Sequence, residues 1–218
     1  MKGAASESGG IGIPKGARSW EESYHAHESG WFFGGEPSTL ARRLHHFFRT
    51  MEIPCQGRLL DIGCGEGRDV LFFTAHGFEV DAIDGSPTAI MRAREALAHA
   101  GRSAWIEQAD LARIAWRGDY DVIFANNSIQ FVGDEALRVL DEVRAHTKPS
   151  GWNAIGMFTR EEIDWRREPD AYFLESRELK HLYRGWTILE YGESIAYSPR
   201  RAHYLSFANL IARRRAAR

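Results

Sequence analysis

Between Arg58 and Phe158 the chain alternates short apolar runs with longer stretches of helical pattern, and few folds accept that order. The apolar runs cover Arg58–Ile62, Glu79–Ile83, Ser103–Glu107, Asp121–Ala125 and Trp152–Phe158; the helix-patterned segments cover Arg68–His76, Thr88–His99 and Glu135–His146. Strand, helix, strand repeated in this way closes by right-handed crossovers into a parallel sheet with helices on both faces, a Rossmann-like doubly wound α/β fold. Ligands of such sheets bind in the crevice at the carboxyl ends of the strands. Downstream, "LESRELKHLYRGW" predicts a helix stopped by Gly185, and the runs Thr187–Tyr197 and Ala202–Ala212, separated by Ser198, Pro199 and Arg200, have the spacing of a hairpin.

Residues 1–18 are rich in Gly, Ser and Ala with little to bury, and are expected to form a flexible leader. Residues 19–218 then make a single domain, of which 19–54 form an N-terminal lid and a helix. In "WEESYHAHESGWFF", Trp20 to Phe33, aromatics and histidines follow neither helical nor strand spacing, as in a segment laid across something else. "PSTLARRLHHFF" reads as a helix capped by Ser38, with Leu40, Leu44, Phe47 and Phe48 on its apolar side.

A length of 218 residues with 44% hydrophobic content fills one α/β core and not two large ones. The formal charge of −2 supplies no broad positive field, so no nucleic acid partner is expected, and the basic end "ARRRAAR" reads as a solvated tail. No run reaches the ~18 apolar residues of a bilayer span, and the opening residues lack the apolar core of a secretory signal; a soluble, cytoplasmic chain with no membrane partner is expected. With two cysteines, Cys55 and Cys64, neither a disulfide framework nor a zinc cluster is supported, and no metal is assigned.

The chemistry concentrates in "LLDIGCGEGRDV", Leu59 to Val70. Gly63, Gly65 and Gly67 leave a turn without Cβ atoms where a ligand can approach the main chain. A dinucleotide turn spaces its glycines G-x-G-x-x-G and carries a pyrophosphate; here the third glycine is early and acids stand at Asp61 and Glu66, which suit a cation better than two phosphates. S-adenosylmethionine carries a sulfonium and an ammonium and no phosphate, so the turn, including Cys64, favours it as cofactor, with exposed amides and Arg68 left for its carboxylate. Asp84, followed by Gly85, ends the second strand about 20 residues past the first glycine, where an acid accepts ribose hydroxyls; the other reading makes it a cap for the next helix. Asp110 closes the third strand, placed either for an adenine amino group, with Leu111 covering the ring, or to cap its own loop. Asn126 and Ser128 turn the end of the fourth strand polar.

Taken together, "LLDIGCGEGRDVLFFTAHGFEVDAIDGSPTAI", "ADLARI", "YDVIFANNSIQFV" and "HTKPSGWNAIGMF" resemble the successive motifs of class I S-adenosylmethionine-dependent methyltransferases from about Cys55 to Phe158. "ESRELKHLYRGWTILEYGES" and "SFANLIARR" are similar to the tail of the tellurite-resistance methyltransferase group, and "WFFGGEPSTLARRL" to the entry segment of small-molecule methyltransferases. The resemblance implies a seven-stranded sheet whose last strand is antiparallel, and acceptors that are chalcogen oxyanions or small metabolites. The group's hairpin carries a His-Arg pair in a longer loop; here "YSPRRAHYLSF" replaces it only roughly.

Methyl transfer from a sulfonium requires chiefly alignment in a dry pocket, which gives Trp20, Tyr24, Trp31, Phe32 and Phe33 a use as a lid over the acceptor; the plainer alternative is that they cover the sheet edge. Gln130 is placed either to donate into the acceptor pocket or to cap a helix. Arg160, Arg200, Arg201 and His203 would form a cationic rim for an anionic small-molecule acceptor, each with a solvated hairpin or loop as its alternative. A cofactor-bound non-methylating protein on the same scaffold, and an NAD-dependent oxidoreductase, remain open at this level; oligomeric state is not legible.

Overall fold

Leu59 faces one side of the first strand and Leu60 and Ile62 the other, all buried, so that strand must be covered on both faces. A computed structural model of the chain describes residues 17–27, 30–160, 170–198 and 203–216. The described residues form one sheet from β1 (Arg58–Ile62), β2 (Glu79–Asp84), β3 (Trp105–Gln108), β4 (Tyr120–Asn126), β5 (Thr147–Phe158), β6 (Thr187–Ser198) and β7 (His203–Arg213), in the order β3-β2-β1-β4-β5-β7-β6. The first five strands run parallel, Leu59 opposite Val80 on one side and Val122 on the other. β7 pairs antiparallel with both β5 and β6, as expected of the hairpin.

Helices α1 (Arg18–Ala26), α2 (Thr39–Thr50), α3 (Arg68–Ala75), α4 (Pro87–His99), α5 (Ala136–Ala145) and α6 (Glu178–Leu182) flank this sheet. Leu44, Phe48, Val70, Phe73, Ala93 and Leu97 cover one face, meeting Leu59, Val80, Val122 and Phe124. Val139, Leu140, Leu179 and Tyr183 cover the other, meeting Ile62, Ile123, Ile155 and Met157. The alternation Val122, Ile123, Phe124, Ala125 along β4 therefore feeds both cores in turn. Ser38 accepts from the Ala41 amide and caps α2; Ser86 accepts from the Ala89 amide ahead of Pro87 and caps α4.

Two boundaries differ from the periodicity. Arg18 to Ala26 is helical, although the stretch Trp20 to Phe33 as a whole lacks helical spacing: Trp20 and Tyr24 stand four apart within it, and the helix buries Tyr24 and packs on α4, a tertiary contact that local pattern does not register. β5 begins at Thr147, five positions early by the apolar pattern, since Lys148, Pro149 and Ser150 enter through an irregularity between Tyr120 and Val122. Of the expected leader, residues 1–16 lie outside the described residues.

Candidate functional site

The chain leaves β1 for β2 and β3 on one side and returns to β4 on the other, so the strand order reverses between β1 and β4. A cavity of about 1060 Å³ opens there, at the carboxyl ends, lined by Asp61, Gly63, Cys64, Gly65, Arg68, Asp84, Gly85, Asp110, Leu111, Asn126 and Ser128. All eleven positions expected from the sequence to hold the cofactor thus border one space.

The glycine turn is shaped by the protein itself. Gly63 has φ +74°, and a Cβ there would stand 2.1 Å from the Ser128 Cβ; Gly65 has φ +54°, and its Cβ would stand 2.7 Å from the Tyr24 hydroxyl oxygen. The turn's amides are largely committed. Gly63 and Cys64 donate to the Ile83 carbonyl at 2.7 and 3.0 Å, Gly65 donates to Asp84 at 2.9 Å, and Gly67 donates to the Cys64 carbonyl at 3.0 Å. Gly63, Cys64 and Gly65 thereby tie the end of β1 to the end of β2, which commits their amides within the protein.

The acids divide into spent and available. Glu66 accepts from the Phe32 amide at 2.5 Å and pairs with Arg92 at 2.8 Å, so its charge is neutralised and it anchors the N-terminal segment. Asp69 accepts from the Ser38 amide at 2.7 Å. Asp61 is 2% exposed, and its Oδ2 has no hydrogen-bond partner among the described residues. Burial pushes the Asp61 carboxyl well above the usual range, with the charges of Asp69 and Asp84 adding and Arg68 opposing. Burying a carboxylate oxygen without a partner is costly, and a cation brought into the cavity removes the cost.

Asp84 accepts from the Gly65 and Ser86 amides, both at 2.9 Å. Since Ser86 caps α4, the capping alternative for Asp84 is not what the structure shows. The Gly85 amide also bonds to it, so of a carboxylate's roughly four acceptor positions at least one remains for a hydroxyl from the cavity. Burial raises its pKa, opposed by those amides. Asp110 Oδ1 accepts from the Ala112 amide at 2.9 Å, the loop-capping geometry, and Leu111 stands beside the turn, 3.5 Å from where a Gly63 Cβ would be. The Ser128 hydroxyl donates to the Ile62 carbonyl.

Over this floor lies the N-terminal segment. Trp20, Tyr24, Trp31 and Phe33 line the cavity, and the Trp20 ring meets Phe131 from the far wall at 5.0 Å. The segment is tied down by groups that periodicity does not reveal. Glu21 accepts from the Ser86 hydroxyl at 2.5 Å, the Thr88 hydroxyl at 2.6 Å and the Thr88 amide at 3.1 Å, occupying the amino end of α4. Although burial opposes it, these bonds hold Glu21 below the usual carboxylate range. Arg92 donates to the His27 carbonyl and Arg68 to the Phe33 carbonyl. Tyr24, with its pKa pushed well up by burial and by the Asp84 and Glu66 carboxylates, stays a neutral hydroxyl.

The expected acceptor residues are scattered. Tyr24 and Trp31 border the cavity. Gln130 does not: its side chain is fully buried, with neither amide atom hydrogen-bonded among the described residues. Arg160 is exposed, outside the lining, and pairs with Glu175 at 2.8 Å. Arg200, Arg201 and the side chain of His203 lie outside the described residues. Of the expected cationic rim, Arg160 alone is described, and it does not line the cavity. The described wall also carries Phe131, Phe158, Leu205 and Phe207, apolar residues whose convergence no local pattern announces.

Among the described residues no cluster of three or more metal-ligating side chains occurs, and no helix is long and apolar enough to cross a membrane. The chain is similar to Hemagglutinin 1 of Eikenella corrodens, 32% identical over 65% of this chain and 47% of that one. It is also similar to the probable S-adenosyl-L-methionine-dependent methyltransferase TehB of Haemophilus influenzae, 25% identical over 65% of this chain and 49% of that one. The chain thus spans about half the length of these curated relatives. Among solved structures it shares the fold of the N-methyltransferase NodS from Bradyrhizobium japonicum in complex with S-adenosyl-L-homocysteine, with a TM-score of 0.66 at 18% identity, covering 92% of this chain and 99% of that one. The sequence profile of the tellurite resistance protein TehB family matches residues 40–202, and the chain belongs to that family.

Proposed function

We propose that the chain transfers a methyl group from S-adenosylmethionine to a small-molecule acceptor. One observation carries the cofactor assignment: Asp61, a buried carboxylate with an unpartnered oxygen, borders the same cavity as Asp84 and Asp110. That donor set fits an adenosyl ligand with an ammonium group. Asp61 holds the ammonium, Asp84 accepts from the ribose hydroxyls while bracing the turn, Asp110 and Leu111 take the adenine, and Arg68 pairs with the carboxylate. When bound, S-adenosylmethionine supplies an electrophilic methyl carbon on a sulfonium whose departure leaves a neutral thioether. The protein's contribution is then to align and to dry the site. Trp20, Tyr24, Trp31 and Phe33 exclude water, and their ring faces favour a cation by ~0.5 to 2 kcal/mol each. The cavity, about 1060 Å³, lies at the upper end of the roughly 300 to 1,000 Å³ usual for ligand pockets, in keeping with an acceptor beside the cofactor. Membership of the TehB family and the name of the Haemophilus relative support the reading.

The test is calorimetric titration with S-adenosylhomocysteine and, separately, NAD. The expected result is saturable binding of the first alone, weakened at least about tenfold in Asp61→Asn as the charge facing the ammonium is lost. The same substitution should raise the melting temperature of the ligand-free protein, because a buried charge is removed. Binding of NAD in preference, or an Asp61→Asn protein with unchanged affinity, would refute the assignment.

A further inference from the structure

One layer of the sheet is polar where its neighbours are apolar. Asn126 on β4, Gly156 on β5 and Asn209 on β7 stand side by side in register, on the face that α2 covers. Two residues below them on that face lie Phe124, Ala154 and Ile211, all buried; two above lie Phe158 and Phe207. Gly156 leaves a space in the layer: a Cβ there would stand 3.0 Å from the Asn209 Oδ1 and 3.2 Å from the Asn126 Oδ1. Asn126 and Asn209 line a second cavity, of about 400 Å³, together with Asn127, Arg42, Arg43 and Arg68. Asn126, Asn127 and Arg68 also border the larger cavity, so the two are neighbours.

These carboxamides are short of partners. Asn127 Nδ2 donates to Asn126 Oδ1 at 3.3 Å, a long bond; Asn127 Oδ1 is buried without a partner, and the Asn209 side chain makes no hydrogen bond among the described residues. A half turn of a carboxamide exchanges its oxygen and its NH2, and here that loses no bond, since Asn126 and Asn127 can reverse the direction of theirs. Arg42 meets the Thr39 hydroxyl at 3.4 Å and has no ion pair among the described residues; Arg43 pairs with Glu190 at 2.8 Å, and Glu36 is the acid on the lining. Converging NH2 groups beside guanidinium charge are the donor set for a carboxylate or an oxyanion, and such a ligand offsets the cost of polar groups left unpaired. We propose that this second cavity is a binding site for a compact anion, a carboxylate or an oxyanion, to which Asn126 and Asn209 donate beside Gly156 while Arg42 and Arg43 supply charge from the exposed side. The site stands apart from the cofactor assignment; on the methyltransferase reading above, it seats the anionic group of the acceptor, because Asn126 and Asn127 border both cavities.

The full chain is titrated by calorimetry with selenite, propionate and propionamide, the last matching propionate in shape without its charge. S-adenosylhomocysteine binding is measured separately; its failure refutes the cofactor reading and leaves the anion result to stand alone. Both anions should bind at least about tenfold tighter than propionamide. Gly156→Ala places a Cβ against both carboxamides at a φ open to any residue, and should weaken the anions at least about tenfold. Asn209→Leu, which keeps the bulk and removes the NH2, should do the same, with urea unfolding reporting an intact fold in each variant. Arg42→Gln should cost about threefold, the share of an exposed charge. In crystals soaked with selenite, the anomalous selenium peak should lie between Asn126 and Asn209. No selenite binding, propionamide bound as tightly as propionate, anion affinity unchanged in Gly156→Ala and Asn209→Leu, or a selenium peak only elsewhere would overturn the inference.

Discussion

Replacing Asp84 with alanine separates two roles that the structure gives to one carboxylate. In the ligand-free protein, Asp84 satisfies the Gly65 and Ser86 amides, each at 2.9 Å. An orphaned buried amide costs about 1 to 3 kcal/mol, so two would cost roughly 2 to 6, offset by about 1 to 3 kcal/mol regained when a desolvated charge is removed. The expected net loss is about 1 to 3 kcal/mol, a fall of roughly 2 to 12 °C in melting temperature for a chain of this size. Binding should suffer separately. Losing the acceptor for the ribose hydroxyls costs ~1.5 to 3 kcal/mol, an increase in Kd of roughly 10- to 150-fold. Urea unfolding of the ligand-free variant measures the first quantity and calorimetry with S-adenosylhomocysteine the second. A cycle with the 2′-deoxy ligand isolates the contact, since its penalty should be large in the native protein and small in Asp84→Ala. If stability falls while affinity and the 2′-deoxy penalty stay unchanged, Asp84 is a brace for the turn and the ribose assignment is wrong.

Gly63→Ala should be among the most damaging single changes, costing more than about 3 kcal/mol, because it adds a Cβ 2.1 Å from that of Ser128 at a positive φ; pairing it with Ser128→Gly should recover most of the loss, and no recovery in urea unfolding would disprove the contact. Glu21→Ala should cost about 1 kcal/mol, roughly 2 to 4 °C, and speed amide hydrogen exchange in α1 while β1 and β4 keep their protection; uniform exchange would show that Glu21 does not anchor the lid. Because burial raises the Asp61 pKa, a cationic ligand that prefers the ionised carboxylate should bind more tightly as pH rises from about 5 towards the raised value and then level off. Titrations in buffers of different ionisation enthalpy should show proton release below that plateau; affinity that falls with rising pH over this range contradicts the Asp61 contact.

The parallel sheet was legible because buried strands such as Leu59–Ile62 and Val122–Ala125 announce themselves by apolar runs, and because Ser38 and Ser86 are local start signals for helices. That the positions expected to hold the cofactor border one cavity follows from their place at the ends of consecutive strands, where topology brings them together. Helix α1 and the segment after it were not legible, since what holds them is distant in sequence: Glu21 on Ser86 and Thr88, Glu66 on Phe32, and Arg92 on His27. The acids at the turn also looked alike in sequence, yet Glu66 is neutralised by Arg92 while Asp61 keeps an unpartnered oxygen, a difference set wholly by tertiary neighbours. Arg160 likewise stands just past β5 as expected, but it pairs with Glu175 and is not among the described cavity lining.

Crystals grown with S-adenosylhomocysteine give the most direct view of the cofactor assignment. Density should place the ammonium within hydrogen-bond reach of Asp61 Oδ2 and the ribose hydroxyls on Asp84, with the thioether sulfur facing Phe131 and the aromatic wall. A ligand seated elsewhere, or one whose ammonium avoids Asp61, would contradict it.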